Sequence, residues 1–338
     1  MHQSRPVSAV VLFGVVLLIA TACSSPSAAP TASGDATALT KLKAGICVPN
    51  DADLALPPYV AQESGFFTDE GLDVEIVSFQ GGADMVKGIV GGSVDVGVCG
   101  AIDAVAASAK GIPMKIVAGI GGTNPSALMV PDSSTISDIS ELDAATTFGI
   151  GRFGGVTDFV ARLTSDRAGV PSDKFKAAAI GPDGLTAAVE AGGGDIDVFQ
   201  WVPNSAITFE SQGKLRTIAT VADVFPEDQY SAVLAQPEYI SSHKEVIGSF
   251  LAAFFQAVTL MKEDRGFAEK AFVERLNVPQ ENVGAVYEAT VPRWSDAGEV
   301  STAGLETYAE FLPMLGLAKT SPSLSDFYTD EFLPVKTD

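Results

Sequence analysis

Basic side chains are scarce in this sequence. Its 338 residues hold 21 Lys and Arg against 42 Asp and Glu, a formal charge of -21. The cations stand singly, so no stretch offers the concentrated positive surface that a polyphosphate requires, and no nucleic-acid partner is expected. Cysteine and histidine are scarcer still: Cys23, Cys47, Cys99, His2 and His243. No CxxC or HExxH spacing occurs among them, so neither a metal site nor a cofactor is expected. A nucleophile elbow, a P-loop and a Ser-His-Asp order are also missing, which argues against catalysis. Disorder is excluded by what is present, since 46% hydrophobic and 8% aromatic residues supply enough apolar area to offset the entropy of ordering.

One cation, Arg5, precedes an apolar run from Val7 to Ala22. At about 16 residues the run is shorter than the roughly 20 of a spanning helix, and residues 1–22 are predicted to be a signal peptide. Thr21 and Ala22 before Cys23, with Ser24 and Ser25 after it, resemble a bacterial lipobox. In that pattern the Cys is lipidated and becomes the mature N-terminus, anchoring the chain to the outer face of the cell membrane. Ala20 stands where such boxes usually carry Leu, which leaves cleavage and free secretion as the alternative. Residues 23–40, rich in Ser, Pro, Ala and Thr, read as the lipidated Cys and a flexible linker.

Beyond the linker, strand-like and helical segments alternate. Strands are predicted at 42–48, 73–78, 93–99 and 114–119, with helices at 57–67, 83–91 and 103–110 between them. A second series follows, with strands at 147–150, 176–180, 196–199 and 215–221 and helices at 156–168 and 185–191. This alternation implies βαβ units and mainly parallel sheets. The stretch 243–262 spaces Val246, Ile247, Phe250, Leu251, Phe254, Phe255 and Val258 as a core helix. The fold class expected is α/β in two lobes, with 41–127 plus 231–338 as lobe 1 and 128–230 as lobe 2. The chain would cross between lobes near 127–130 and 230–235.

Several elements in this order resemble a known family. Ala61, Gly65-Phe66-Phe67 and Gly71-Leu72-Asp73-Val74 are followed by Gly81-Gly82 and by Gly92-Ser93-Val94-Asp95 with Gly97. Farther on stand Ala187-Ala188-Val189, Gly194-Asp195-Ile196-Asp197, Trp201 and Pro203, and then Trp294, Gly298, Asp326, Tyr328, Thr329 and Phe332. Together they resemble the periplasmic substrate-binding proteins of nitrate, sulfonate and taurine ABC importers and the related thiamine-precursor binders. Glu141-Leu142-Asp143-Ala144-Ala145 replaces the family's usual DLKGK segment and blurs the start of the second lobe. The resemblance implies a periplasmic binding protein type II fold with the ligand between the lobes. It also implies a monomer that captures a small solute by hinge closure and hands it to permease subunits. The pyrimidine synthase of thiamine biosynthesis shares this outline, and a synthase-like enzyme is the lesser alternative.

Ligands of such proteins meet the carboxyl ends of parallel strands, where helix N-termini offer unpaired N–H groups. Three glycine-containing turns fall there: Gln80, Gly81 and Gly82 in one; Cys99, Gly100 and Ala101 in the next; and Arg152, Gly154, Gly155, Val156 and Thr157 in the third. Arg152 suits a bidentate grip on a sulfonate or carboxylate, or else a surface pairing with Asp158 or Asp183. Thr157 offers a hydroxyl to a ligand or a cap to its helix. Gln200 and Trp201 follow a strand and would wall the cleft. Asp51 could meet an ammonium group or cap a helix. Cys47 and Cys99 end neighbouring strands, close enough for a disulfide outside the cytoplasm, the alternative being two buried thiols. Arg152 and the glycine turns favour an organic anion such as a sulfonate. Phe199, Trp201 and the acidic residues suit an aminopyrimidine or another small heterocycle.

Overall fold

The computed structural model describes residues 38–337; the predicted signal peptide, Cys23 and most of the predicted linker lie outside them. The chain first forms β1 (Thr40–Ile46), α1 (Ala52–Glu63), α2 (Phe66–Asp69), β2 (Leu72–Ser78), α3 (Gly82–Val90), β3 (Val96–Gly100), α4 (Ala101–Ala109) and β4 (Lys115–Gly121). A second series comprises β5 (Ala127–Pro131), β6 (Thr147–Ile150), α5 (Val156–Arg167), β7 (Lys176–Ala179), α6 (Gly181–Glu190), β8 (Val198–Trp201), α7 (Pro203–Ser211), β9 (Leu215–Thr220) and α8 (Val221–Val224). The last part runs through β10 (Ser231–Ala235), α9 (Pro237–Ser242), α10 (Lys244–Glu263), α11 (Arg265–Leu276), α12 (Val283–Thr290), α13 (Thr302–Met314) and α14 (Leu324–Phe327).

Two five-stranded sheets result, ordered β2-β1-β3-β10-β4 and β7-β6-β8-β5-β9. In the first, β1 pairs in parallel with β2 and β3, and β10 runs antiparallel between β3 and β4. In the second, β6 pairs in parallel with β7 and β8, and β5 runs antiparallel between β8 and β9. Each sheet is therefore α/β and mainly parallel, with one reversed strand.

Those reversed strands correct the expected crossings. The runs Ala127–Pro131 and Ser231–Ala235 are almost wholly buried, and such continuous apolar runs belong inside a sheet. The passages between sheets lie instead at 122–126 and 221–230. They are tied together: Asn124 N donates to Asp228 Oδ2 at 3.1 Å, and Val221 N donates to the Ser126 carbonyl at 2.9 Å.

The core is unequal. Helix α10 buries Phe250, Phe254, Phe255, Val258 and Met261, and with β1, β3, β4 and β10 they form one large apolar cluster. Phe67 of α2 stacks on Phe250 with ring centroids 5.3 Å apart. The second sheet is backed mainly by two smaller clusters, one on each face. Burial of each large side chain contributes about 1.5–3 kcal/mol, so the first region holds most of the stabilising area. Cys47 and Cys99 form a disulfide with Cα atoms 5.2 Å apart, joining the ends of β1 and β3.

Candidate functional site

A cleft of about 370 Å³ opens where the carboxyl ends of β1, β2, β3, β6 and β8 meet the starts of five helices. Helices α3, α4, α5, α6 and α7 begin there without a side-chain cap. Their first turns have no side-chain partner, although α7 begins on Pro203, which carries no N–H, and the first N–H of α4, Ala101 N, donates to the Tyr230 carbonyl at 2.9 Å; the helix dipoles add partial positive charge. Helix α1 differs, because Asp51 caps it by accepting from Asp53 N at 3.0 Å.

Most of the residues singled out in the sequence come together. Asp51, Gln80, Gly81, Gly82, Gly100, Arg152, Gly155, Val156, Thr157, Gln200 and Trp201 all line the cleft. Three others do not. Cys99 is held beneath the surface by its disulfide, and Ala101 is fully buried in the core. Gly154 turns at φ +80°, with its N–H directed onto Asp158 Oδ2 at 2.8 Å. Thr157 reaches the cleft, yet its Oγ1 accepts from Gly151 N at 3.0 Å and closes the turn.

Arg152 finds its partner in neither Asp158 nor Asp183. Its Nη1 lies 2.6 Å from Asp84 Oδ2 of α3, so the pair links the two walls of the cleft. Asp158 is engaged by Arg162 Nε at 2.9 Å. With Arg152 matched, the other acid-base side chains at the cleft, the Tyr230 hydroxyl apart, are carboxyl groups: Asp51, Asp103 and Asp183 all line it.

Two of these carboxyl groups are deeply set. Asp51 is 2% exposed and accepts from the Tyr230 hydroxyl. Burial, and then the adjacent charge of Asp53, pushes its pKa up to about 7. Asp53 is satisfied by Arg293 Nη2 at 2.8 Å and Trp294 Nε1 at 2.9 Å. Asp103 is 5% exposed, and burial pushes it up to about 7 as well. Its Oδ2 lies 3.2 Å from Cys99 Sγ. A disulfide sulfur carries no proton, so only the protonated carboxyl can donate there. The same bridge leaves Cys47 and Cys99 without the thiolate that a metal would need beside Asp103.

The glycines explain how Asp103 fits. Gly81 has φ +119°, and a Cβ on Gly82 would fall 2.0 Å from the Asp103 carboxyl. Backbone without side chains is thus required above this acid. Asp103, Ser126 and Tyr230 were not candidates for ligand contact in the sequence, and Asp183 was considered only as a surface partner of Arg152. For Asp103 a signal existed: it is the only charge within the otherwise small and apolar helix AIDAVAASA.

Residues 55–265 match the family described as NMT1/THI5 like. The chain belongs to that family. Among individual proteins, YtlA of Bacillus subtilis, a binding protein by name, is 23% identical over 203 residues, 60% of this chain and 60% of YtlA. The 4-amino-5-hydroxymethyl-2-methylpyrimidine phosphate synthase of Legionella pneumophila is 31% identical over 126 residues, 37% of this chain and 39% of the synthase. The chain thus spans less than two thirds of either relative. The alkanesulfonate-binding protein SsuA from Xanthomonas axonopodis pv. citri, solved with MOPS bound, superimposes with a TM-score of 0.71 at 16% identity. That superposition covers 86% of this chain and 98% of SsuA. The fold is that of the periplasmic binding proteins.

Proposed function

We propose that this chain is the extracytoplasmic solute-binding component of an ABC importer, tethered to the cell membrane through lipid on Cys23. It acts as a monomer, closes its two lobes around a small solute and presents the closed form to the permease. The observation that carries this reading is the cleft itself. Its walls are strand ends and uncapped helix starts that converge on one cavity, the arrangement of a small-molecule binding site.

For the solute, the same geometry favours a small nitrogen base, such as an aminopyrimidine, over the organic anion that Arg152 suggested. Asp84 already matches Arg152, while Asp51 and Asp103 offer carboxyl groups that can accept from an amino or ring N–H and lose their own proton to a basic ring. Phe79 and Trp201 add aromatic surface. The anion reading keeps one specific support, the uncapped N-termini of α3 and α5 beside the glycine turns. A Kd of ~1 μM needs roughly -8 kcal/mol, within reach of a few directed hydrogen bonds and a stacked ring.

Thermal-shift and calorimetric titration with hydroxymethylpyrimidine, taurine, alkanesulfonates and nitrate tests both levels. The pyrimidine is expected to stabilise by about 2.7 kcal/mol at a hundredfold excess over Kd and to be recovered unchanged. Binding of taurine alone reverses the solute assignment. Conversion of a bound compound moves the chain to the synthase-like alternative.

A further inference from the structure

Both passages between the sheets are tied to the start of α1. Asp51 caps that helix with one carboxylate oxygen, Oδ1, which accepts from Asp53 N at 3.0 Å. Its other oxygen, Oδ2, accepts from the hydroxyl of Tyr230, the last residue of the 221–230 passage. Through its backbone N–H, Tyr230 also donates to the Gly122 carbonyl of the first passage, and its own carbonyl takes the first N–H of α4. Asp53, in the first turn of α1, makes a second tie. It holds Arg293 Nη2 at 2.8 Å, and Arg293 Nη1 donates to the Thr123 carbonyl at 2.9 Å.

The two ties differ in what the cleft can do to them. Asp51 and Tyr230 line the cleft, whereas Asp53 and Arg293 stand behind it. Trp294 Nε1 also holds Asp53, and the Ala289 carbonyl holds Arg293 Nε at 3.0 Å, so that tie is braced whatever the cleft contains. The tie through Tyr230 shares its acceptor with the solute side. A cationic solute beside Asp51 keeps the carboxyl group ionised, and an ionised acceptor binds a hydroxyl roughly twice as strongly as a neutral one. We propose that Tyr230 is a positioning residue through which Asp51 holds the two passages, so that a base captured at Asp51 stiffens the connection between the lobes. The hold itself stands on the empty cleft; its response to a solute rests on the reading of the cleft as a site for a nitrogen base.

Hydrogen–deuterium exchange of the full chain, empty and saturated with hydroxymethylpyrimidine, tests both halves. Tyr230→Phe keeps the ring and removes the hydroxyl. In the empty variant the passage amides of Asn124, Val221 and Tyr230 are expected to exchange on the order of tenfold faster or more, while those of β1, β3 and α10 stay within about twofold of wild type. Tyr239→Phe, whose hydroxyl lies with Asp95 and His243 away from both passages, should move neither set. In the wild type the pyrimidine is expected to slow the passage amides by about tenfold, and in Tyr230→Phe by less than about twofold. Passage amides unchanged in the empty variant overturn the proposal. A rise shared equally by the core amides overturns it too, because the hydroxyl then serves global stability alone. Slowing by the pyrimidine that persists in Tyr230→Phe overturns the link from solute to passages. Failure of the pyrimidine to bind the wild type ends the nitrogen-base reading, and the empty variant still decides whether Tyr230 holds the passages.

Discussion

The two walls of the cleft are built on different foundations. The wall from the first sheet holds two buried carboxyl groups, Asp51 and Asp103, beside the Cys47–Cys99 bridge, and behind it lies the large cluster that includes α10. The wall from the second sheet holds Ser126, Gln200 and Trp201, polar but uncharged, in front of a sheet whose two apolar clusters are small and whose edge strand β7 is largely solvent-accessible. Desolvating a carboxyl group is costly. The expensive groups therefore sit where the framework is stiffest and the apolar burial greatest, and the weaker framework carries groups whose burial costs less.

Cutting the bridge should break this arrangement most severely. Its closed segment has a sequence separation of 52, for which chain entropy gives about 4 kcal/mol, and measured losses of native bridges run about 2–5 kcal/mol. Replacing Cys47 and Cys99 together by Ala is expected to lower unfolding stability by that amount in urea titration. A loss below about 1 kcal/mol would show that the apolar cluster alone holds the first wall. Next in size, Asp51→Asn keeps the helix cap and removes the acid. Affinity for hydroxymethylpyrimidine should then fall near a hundredfold, as expected for about 2–3 kcal/mol of a charge-assisted hydrogen bond. An unchanged affinity would sink the assignment of the acidic wall.

What the sequence made legible divides along the same line. The βαβ order, the glycine turns and the nearness of Cys47 to Cys99 follow from local patterns: strand length, φ-permissive residues and adjacent strand ends; that the two sulfurs bridge is the structure's finding. Legible too was the cleft position of Gln200 and Trp201, because they end a strand. Strand β5 was read as a passage between lobes, since four apolar residues without a helix beside them do not announce an antiparallel partner 74 positions away, as in Ala127 with Trp201. The partner of Arg152 lay equally out of reach. Asp84 precedes it by 68 residues, and only the approach of α3 to the turn after β6 joins them. Asp103 was hidden by its own helix, where a single acid in the first turn reads as a dipole partner until the fold places the backbone of Gly82 over it.

A smaller effect sharpens the contrast through pH. The pKa of Asp103 is raised from an ordinary carboxylate value to about 7 in the folded protein. Between pH ~4 and ~7 the native state therefore keeps a proton that the unfolded chain has released, so stability falls as pH rises through that window and levels above it. One such group contributes at most about 1.4 kcal/mol per pH unit. Asp103→Asn should flatten this slope in melting curves collected from pH 4 to 7. Trp201→Phe, on the uncharged wall, should leave the slope as it was. Equal slopes in wild type and Asp103→Asn would mean that this acid is ionised in the fold across the window.

The smallest change expected is at the ion pair that, among the described residues, spans both walls. The Arg152 side chain is 46% exposed and Asp84 31%, and exposed pairs contribute about 0–1 kcal/mol because solvent screens them. Arg152→Ala should alter stability by less than 1 kcal/mol and affinity for hydroxymethylpyrimidine by no more than about fivefold. Raised salt should reduce the difference between wild type and variant, as screening acts on the wild-type pair alone. The sequence left this guanidinium to the solute or to Asp158 or Asp183, whereas the fold gives it Asp84. If the substitution removed binding of taurine while the pyrimidine went unbound by the wild type, the guanidinium would belong to the solute after all, exchanging Asp84 for a sulfonate on capture, and the acidic wall would be the structural one.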